Sequence, residues 1–300
     1  MSTVAKSMPA DNQPVTLPPR IPWTAVVWFV GLLLICYGPA LLGLMQIWET
    51  DEDMGHGFFV PIIAGYIAWQ KREELAALHW KPNYLGLVLM AFAALQYYIG
   101  SLGAEQFLTR TAFVEALIGV VFTLGGWQAV RALAFPLGLL FFMIPIPAII
   151  YNRITFPLQL FASSVAETVL MMIGIPVLRE GNILELASQR LSVVEACSGI
   201  RSLLSLTFLS LVYGYFFENR VWVRVVLFFA TIPIAIIANS GRVSLTGILS
   251  EYKPELAHGF FHTASGWVIF MIALVILIGF HQLLTGVIRL THAKQQLVAH

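Results

Sequence analysis

Long apolar runs recur along the chain and are separated by short polar segments. A membrane-spanning helix needs about 20 predominantly apolar residues. Runs of roughly that length lie at about 23–47, 84–103, 107–127, 131–150, 201–217, 222–241 and 265–288. A shorter run lies at about 56–70, and the stretch 155–178 is interrupted by Pro157, Glu167 and Pro176. The pattern predicts an all-α polytopic membrane protein.

The basic residues decide how the interrupted stretch is counted, because lysine and arginine concentrate in cytoplasmic loops. If 155–178 does not cross the membrane, most basic residues near the ends of the spans fall on one side: Lys71, Arg72, Lys81, Arg131, Arg220, Arg224, Arg289 and Lys294. If it crosses, the last four move to the other side. The sequence therefore predicts about eight transmembrane helices with both termini cytoplasmic, and an interfacial or re-entrant segment at 155–178.

The rest of the pattern sets the domain organisation. Residues 1–20 are polar and rich in proline, which predicts a disordered cytoplasmic arm. Residues 21–292 form one membrane-embedded domain, and 293–300 a cytoplasmic tail. Between 180 and 196 the helical period gives way to strand-like alternation around Ala187-Ser188-Gln189. This change predicts a small extracytoplasmic hairpin.

Composition supports lipid as the solvent. Apolar residues make up 58% of the chain and charged residues 11%, where soluble domains carry about 25% charged residues. The net charge of +1 provides no basic field to attract nucleic acid. The two cysteines, Cys36 and Cys197, belong to no CxxC or zinc-type cluster. Neither cysteine therefore indicates a zinc site, and membrane lipids are the expected surroundings.

Cys197 is the first candidate for chemistry. It stands at or just before the start of the apolar run at 201–217, where a helix dipole and free N–H groups would lower the pKa of a thiol. Ser198 is adjacent, and Arg201 lies four residues on, on the same helix face. The alternative is that Cys197 is a small apolar residue packing a helix start, as free cysteines usually are. Cys36 lies within the first run and is interpreted as inert packing.

Arg242 is the second candidate, at the predicted outer end of the run that starts near 222. Asn239 lies three residues before it and would share its face if the helix persists there. The planar guanidinium can stabilise a developing oxyanion or clamp a carboxylate. The alternative is an arginine that snorkels to the membrane surface from a helix end. The positive-inside bias makes an arginine on the outer face the less expected case, which favours function.

His262 is the third candidate, in the loop before the last span, with His258 as a rival in the same loop. A histidine is the natural proton-transfer partner for a cysteine near neutral pH. An ordinary interfacial histidine is the alternative. In the predicted topology three separate segments place Cys197, Arg242 and His262 on one face of the membrane. That coincidence argues for a site more strongly than any one of the residues does.

Three blocks resemble the signature motifs of the exosortase/archaeosortase family and occur in the family order: Ala196–Arg201 (ACSGIR), Asn239–Arg242 (NSGR) and His262–Trp267 (HTASGW). Gly55–Phe58 (GHGF) also resembles that family's first outer loop, which makes His56 a further supporting candidate. The resemblance covers roughly residues 30–290. Histidine rather than arginine in the third block is similar to the bacterial exosortases.

The resemblance implies a membrane-embedded cysteine protease/transpeptidase of a bacterial inner membrane, with a triad of Cys197, Arg242 and His262 on the extracytoplasmic face. Its implied substrates are exported proteins of the PEP-CTERM type, with a C-terminal Pro-Glu-Pro-type motif, a transmembrane helix and a basic tail. Cys197 would be the nucleophile, His262 the base and acid, and Arg242 the oxyanion stabiliser. This mechanism implies no metal and no organic cofactor. The roles of the last two could be partly exchanged. The exact tag, the acceptor nucleophile, the exosortase subtype and the oligomeric state stay open.

Two alternatives belong to other functional classes. A transporter or flippase would need paired intramembrane charges or inverted repeats, and Glu115 and Glu167 fall in apolar stretches without a matched basic partner. A non-catalytic scaffold for exopolysaccharide assembly would give no reason for a cysteine, an arginine and a histidine to gather on one face.

Overall fold

The computed structural model describes residues 21–78, 80–187, 189–193, 199–252 and 260–298, without the side chains at 52–53, 199–202, 260–265 and 292–298. Its helices are, in chain order, α1 Trp23–Cys36, α2 Gly38–Thr50, α3 Phe59–Gln70, α4 Arg72–Ala77, α5 Leu85–Leu102, α6 Gln106–Ala132, α7 Ala134–Leu139, α8 Ala148–Met172, α9 Gly199–Phe217, α10 Val221–Tyr252 and α11 Phe260–Val298. Two 3-10 helices, Glu52–Phe58 and Leu140–Met143, and strands β1 Val177–Glu180, β2 Ile183–Leu186 and β3 Arg190–Ser192 complete the described elements.

The helical membrane-protein fold is confirmed, whereas the count of eight spans is not. Among the described residues, the helices long and apolar enough to cross a membrane are α5, α6, α8, α10 and the Gly266–Thr291 part of α11. The count rises from five to six if α1 and α2 are taken as one span bent by 71°. Residues 155–172 of the stretch 155–178 lie in α8, whose length and composition would allow it to cross, and its last two residues begin β1. Its interfacial placement therefore stays a prediction.

Prolines explain where predicted spans are interrupted. The run 23–47 forms two helices that meet at Tyr37, and Pro39 is the second residue of the second helix. The prediction of a continuous span at 131–150 was wrong, because α7 and the second 3-10 helix end before Pro145 and Pro147. Proline lacks the N–H that a helix interior needs, and its ring clashes with the preceding turn.

The chain divides into two compact units, and the first comprises Met1–Leu41 and Ile62–Gly138. In its described part α5 and α6 pack closely, and a Cβ added at Gly86 would overlap the backbone nitrogen of Thr123. Small residues allow helix backbones to approach in this way. Gln96 donates to Thr111 Oγ1 at 2.9 Å and to Glu115 Oε1 at 3.4 Å. Glu115 thus takes part in polar contacts between the two helices.

The second unit comprises Leu42–Pro61 and Leu139–His300. Its strands form an antiparallel sheet in the order β1-β2-β3, so the predicted hairpin is confirmed as β2 and β3. The additional strand β1 holds Arg179, which bonds Glu167 on α8 at 2.7 Å. The description of Glu167 as an acid without a basic partner was therefore wrong. The sheet and α8 share an apolar core with α10 through Leu170, Leu184 and Val243.

A second apolar core joins α9, α10 and α11, and includes Leu206, Leu227 and Leu277. The long helix α10 takes part in both cores of this unit. Its 32 residues extend for about 48 Å, beyond the roughly 30 Å of a bilayer's hydrocarbon core. It can therefore carry polar residues past the apolar region while its apolar part stays packed.

Candidate functional site

Arg242 lies within α10, ten residues before that helix ends at Tyr252. The prediction of a helix end near 241 was wrong, because Asn239–Arg242 continues the helix. The Arg242 side chain is only 7% exposed. A snorkelling arginine extends its charged end into water. Burial therefore speaks against the simple anchoring alternative.

Gly266 of α11 contacts the guanidinium group of Arg242. A Cβ built on Gly266 would stand 3.2 Å from Arg242 Cζ and Nη2 and 3.4 Å from Nη1. These distances are shorter than the roughly 3.5–4.0 Å of an ordinary carbon contact. Glycine at this position thus leaves room for the flat end of the arginine, and the second and third sequence blocks meet here.

The Nε–H group of Arg242 is a potential hydrogen-bond donor. Its Nε is buried and has no hydrogen-bond partner within the described part of the chain. Asn239, three residues earlier on α10, is also buried, and this spacing places both residues on one side of the helix. A buried guanidinium is costly unless its donors are satisfied, which makes this place suited to an anionic group.

The remaining residues of the predicted triad are described only in part. Position 262 lies in the first turn of α11, four residues before Gly266, and this spacing places both positions on one helix face. Its side chain is not described. Cys197, Ser198 and His258 lie outside the described residues. Position 201 lies in the first turn of α9, which starts two residues after Cys197, and its side chain is likewise not described.

His56 lies in the first 3-10 helix and joins two other elements. Its Nε2 is 3.2 Å from the carbonyl oxygen of Phe142, in the second 3-10 helix. Its Nδ1 is 3.3 Å from the hydroxyl of Ser205 on α9. The structure thus brings His56 to the helix that begins beside Cys197.

A family comparison covers most of the chain, including these positions. The model of the transmembrane exosortase family matches residues 48–279. The chain belongs to the transmembrane exosortase family. No match was found among curated proteins or among solved structures. The exosortase is therefore an integral membrane protein of a family of sorting transpeptidases, and Cys197, Arg242 and His262 all lie within the matched region.

Two contacts of the exosortase were missed by sequence reasoning. Gly266 stood in the third block, but nothing in the sequence indicated that it would contact Arg242. Ser205 was not singled out, although it lies four residues after Arg201 and so shares its helix face. That spacing was the available signal for Ser205.

A polar cluster joins the end of α9, the start of α10 and the middle of α11. His281 Nε2 lies 3.2 Å from Glu218 Oε2, and the Tyr213 hydroxyl lies 2.8 Å from His281 Nδ1. Arg224 donates through Nε to the Glu218 carbonyl at 2.6 Å. Burial alone would raise the pKa of Glu218, but hydrogen bonds from the Arg220 N–H and His281, with the charges of both residues, lower it below its ordinary value. The cluster ties together the three helices that carry the triad blocks.

Proposed function

We propose that this exosortase is a membrane-embedded cysteine protease/transpeptidase that cleaves the C-terminal sorting signal of exported proteins. The substrates carry a PEP-type motif, a transmembrane helix and a basic tail. The enzyme lies in a bacterial inner membrane, with its site on the extracytoplasmic face. Family membership supports the class of reaction, and the motif residues support the choice of substrate.

In this mechanism the Cys197 thiolate attacks the carbonyl carbon of the scissile peptide bond. His262 takes the proton from the thiol and delivers it to the leaving amine as the C–N bond breaks. Arg242 donates hydrogen bonds to the oxyanion of the tetrahedral intermediate. An acyl-thioester remains on Cys197 until an amine nucleophile, or water, attacks its carbonyl, gives a proton to His262 and releases the thiolate as the C–S bond breaks.

The contact between Arg242 and Gly266 carries the proposal. It brings the block that contains Arg242 next to the helix on which position 262 lies one turn earlier. The buried Nε of Arg242 adds a donor suited to a developing oxyanion. Ser198, Arg201, Asn239 and His258 are supporting candidates in the same segments.

Co-expression with a tagged substrate tests the reaction. Cys197→Ala and Cys197→Ser should both abolish loss of the C-terminal segment while the enzyme still accumulates in the membrane, since a serine hydroxyl at this site is far harder to ionise than a thiol. Cys36→Ala is the matched control, because Cys36 is exposed on α1 and should leave processing unchanged. Full processing by Cys197→Ala would end the nucleophile hypothesis.

Reporter fusions test the proposed side of the membrane. The charge distribution predicts that a reporter placed after residue 220 is cytoplasmic and one placed near residue 255 is extracytoplasmic. The reverse pair of results would place the triad in the cytoplasm and contradict processing of exported proteins.

A further inference from the structure

The imidazole of His56 bridges two elements that are far apart in sequence. A carbonyl oxygen only accepts hydrogen bonds, so Nε2 carries the hydrogen donated to Phe142 O at 3.2 Å. In a neutral ring with that hydrogen, Nδ1 accepts from the Ser205 hydroxyl at 3.3 Å, whereas in a protonated ring Nδ1 donates to the same oxygen. We call His56, the Phe142 carbonyl and the Ser205 hydroxyl the His56 bridge. The two contacts fix the orientation of the ring.

Neighbouring contacts hold the His56 bridge in place. The Trp48 indole donates to Met143 O at 2.9 Å, beside the carbonyl that His56 uses. A Cβ added at Gly57 would overlap the Trp48 ring, so only glycine fits the backbone next to His56. Phe208 of α9 lies 5.9 Å from the His56 ring, measured between centroids. The two 3-10 helices and α9 therefore share a single set of polar and aromatic contacts.

The bridge reaches α9 close to its start. Ser205 lies six residues after Gly199, the first residue of the helix, and Cys197 lies two residues before it. The first turn of a helix presents free N–H groups, and it frays unless other contacts hold it. These N–H groups and the helix dipole favour a nearby thiolate.

We propose that His56 is a positioning residue that keeps the start of α9 in place for the Cys197 thiolate. This inference rests on the proposed function for the role of Cys197. His56 acts on the nucleophile through Ser205 and takes no proton from the substrate. Loss of the bridge frees the first turns of α9, and the stabilisation of the thiolate falls.

Thiol labelling tests this role without requiring substrate. In full-length enzyme carrying Cys36→Ala, the rate of reaction of Cys197 with a membrane-impermeant maleimide is measured from pH 6 to 9 in intact membranes. His56→Ala should slow labelling near pH 7 by about three- to tenfold and move the labelling profile to higher pH. Ser205→Ala should act in the same direction. The double variant should be labelled no more slowly than His56→Ala, because the two substitutions remove the same bridge.

Ser210→Ala is the matched control, because this α9 hydroxyl is buried and has no hydrogen-bond partner among the described residues. It should label at the parent rate. If His56→Ala does not accumulate, Ser205→Ala, which removes only a hydroxyl, carries the test. Parental labelling in both bridge variants, or additive effects in the double variant, would overturn the positioning role. If His56→Ala loses substrate processing while Cys197 is still labelled at the parent rate, the positioning role is also overturned. That result would place His56 in direct contact with substrate. Processing by Cys197→Ala would instead refute the proposed function.

Discussion

Replacement of Gly266 by alanine tests the contact that joins the second and third blocks. The added methyl group would stand 3.2 Å from Cζ and Nη2 of Arg242, where ordinary contacts require about 3.5–4.0 Å. The guanidinium must therefore move by roughly 0.3–0.8 Å. The neighbouring atoms belong to the far end of a flexible side chain, so the helices themselves need not move apart.

The size of this displacement sets the expected loss of activity. Removal of an oxyanion donor costs about 100- to 1000-fold in rate, and misplacement by about 1 Å can cost about 100-fold. A shift below 1 Å should therefore reduce processing by about tenfold, equivalent to about 1.4 kcal/mol of activation free energy. Alanine favours helix over glycine by about 1 kcal/mol, so Gly266→Ala should still accumulate in the membrane.

The assay is the time course of substrate-tag loss, normalised to the amount of enzyme in the membrane. Gly279→Ala is the matched control on the same helix, because a Cβ at Gly279 meets no atom within 4 Å. It makes the same change in helix propensity without touching Arg242. If Gly266→Ala processes substrate as fast as Gly279→Ala, the contact has no part in catalysis.

The remaining predictions concern charge and close packing. Arg242→Lys should slow the loss of the substrate tag by about 100-fold or more, because an ammonium group cannot reproduce the two-pronged hydrogen bonding of a guanidinium. Arg289→Lys, at an exposed site, is the control and should leave the rate nearly unchanged; equal rates in the two variants would make Arg242 a structural anchor. Gly86→Ala should lower the amount of protein in the membrane, measured by immunoblot, because its methyl group overlaps the α6 backbone; normal accumulation would contradict that packing. Glu218→Gln should lower the thermal unfolding temperature in detergent near pH 7, because a carboxyl whose pKa is lowered in the folded state stabilises the fold above its unfolded pKa and loses that effect when protonated. The difference in unfolding temperature between this variant and the parent should therefore shrink as pH falls below about 4.3, and a difference independent of pH would refute the lowered pKa of Glu218.

Helices with clear boundaries were predictable from sequence. The run 84–103 became Leu85–Leu102, since polar residues flank an uninterrupted apolar stretch. The end of α10 was not predictable, because Asn239–Arg242 looks like the polar end of a span. In the folded protein this segment is buried by other elements, and the helix continues to Tyr252. Local periodicity reports which residues share a face, but not what covers that face.

The membrane environment, the family resemblance and the residue types of the candidate site could all be predicted from the amino-acid sequence alone. These features follow from apolar run lengths and from short motifs, which are local properties of the chain. The contact of Gly266 with Arg242 and the contact of His56 with Ser205 became visible only in the folded chain. Each of these contacts joins segments separated by more than 20 residues, and such pairings depend on how the helices pack rather than on any local pattern.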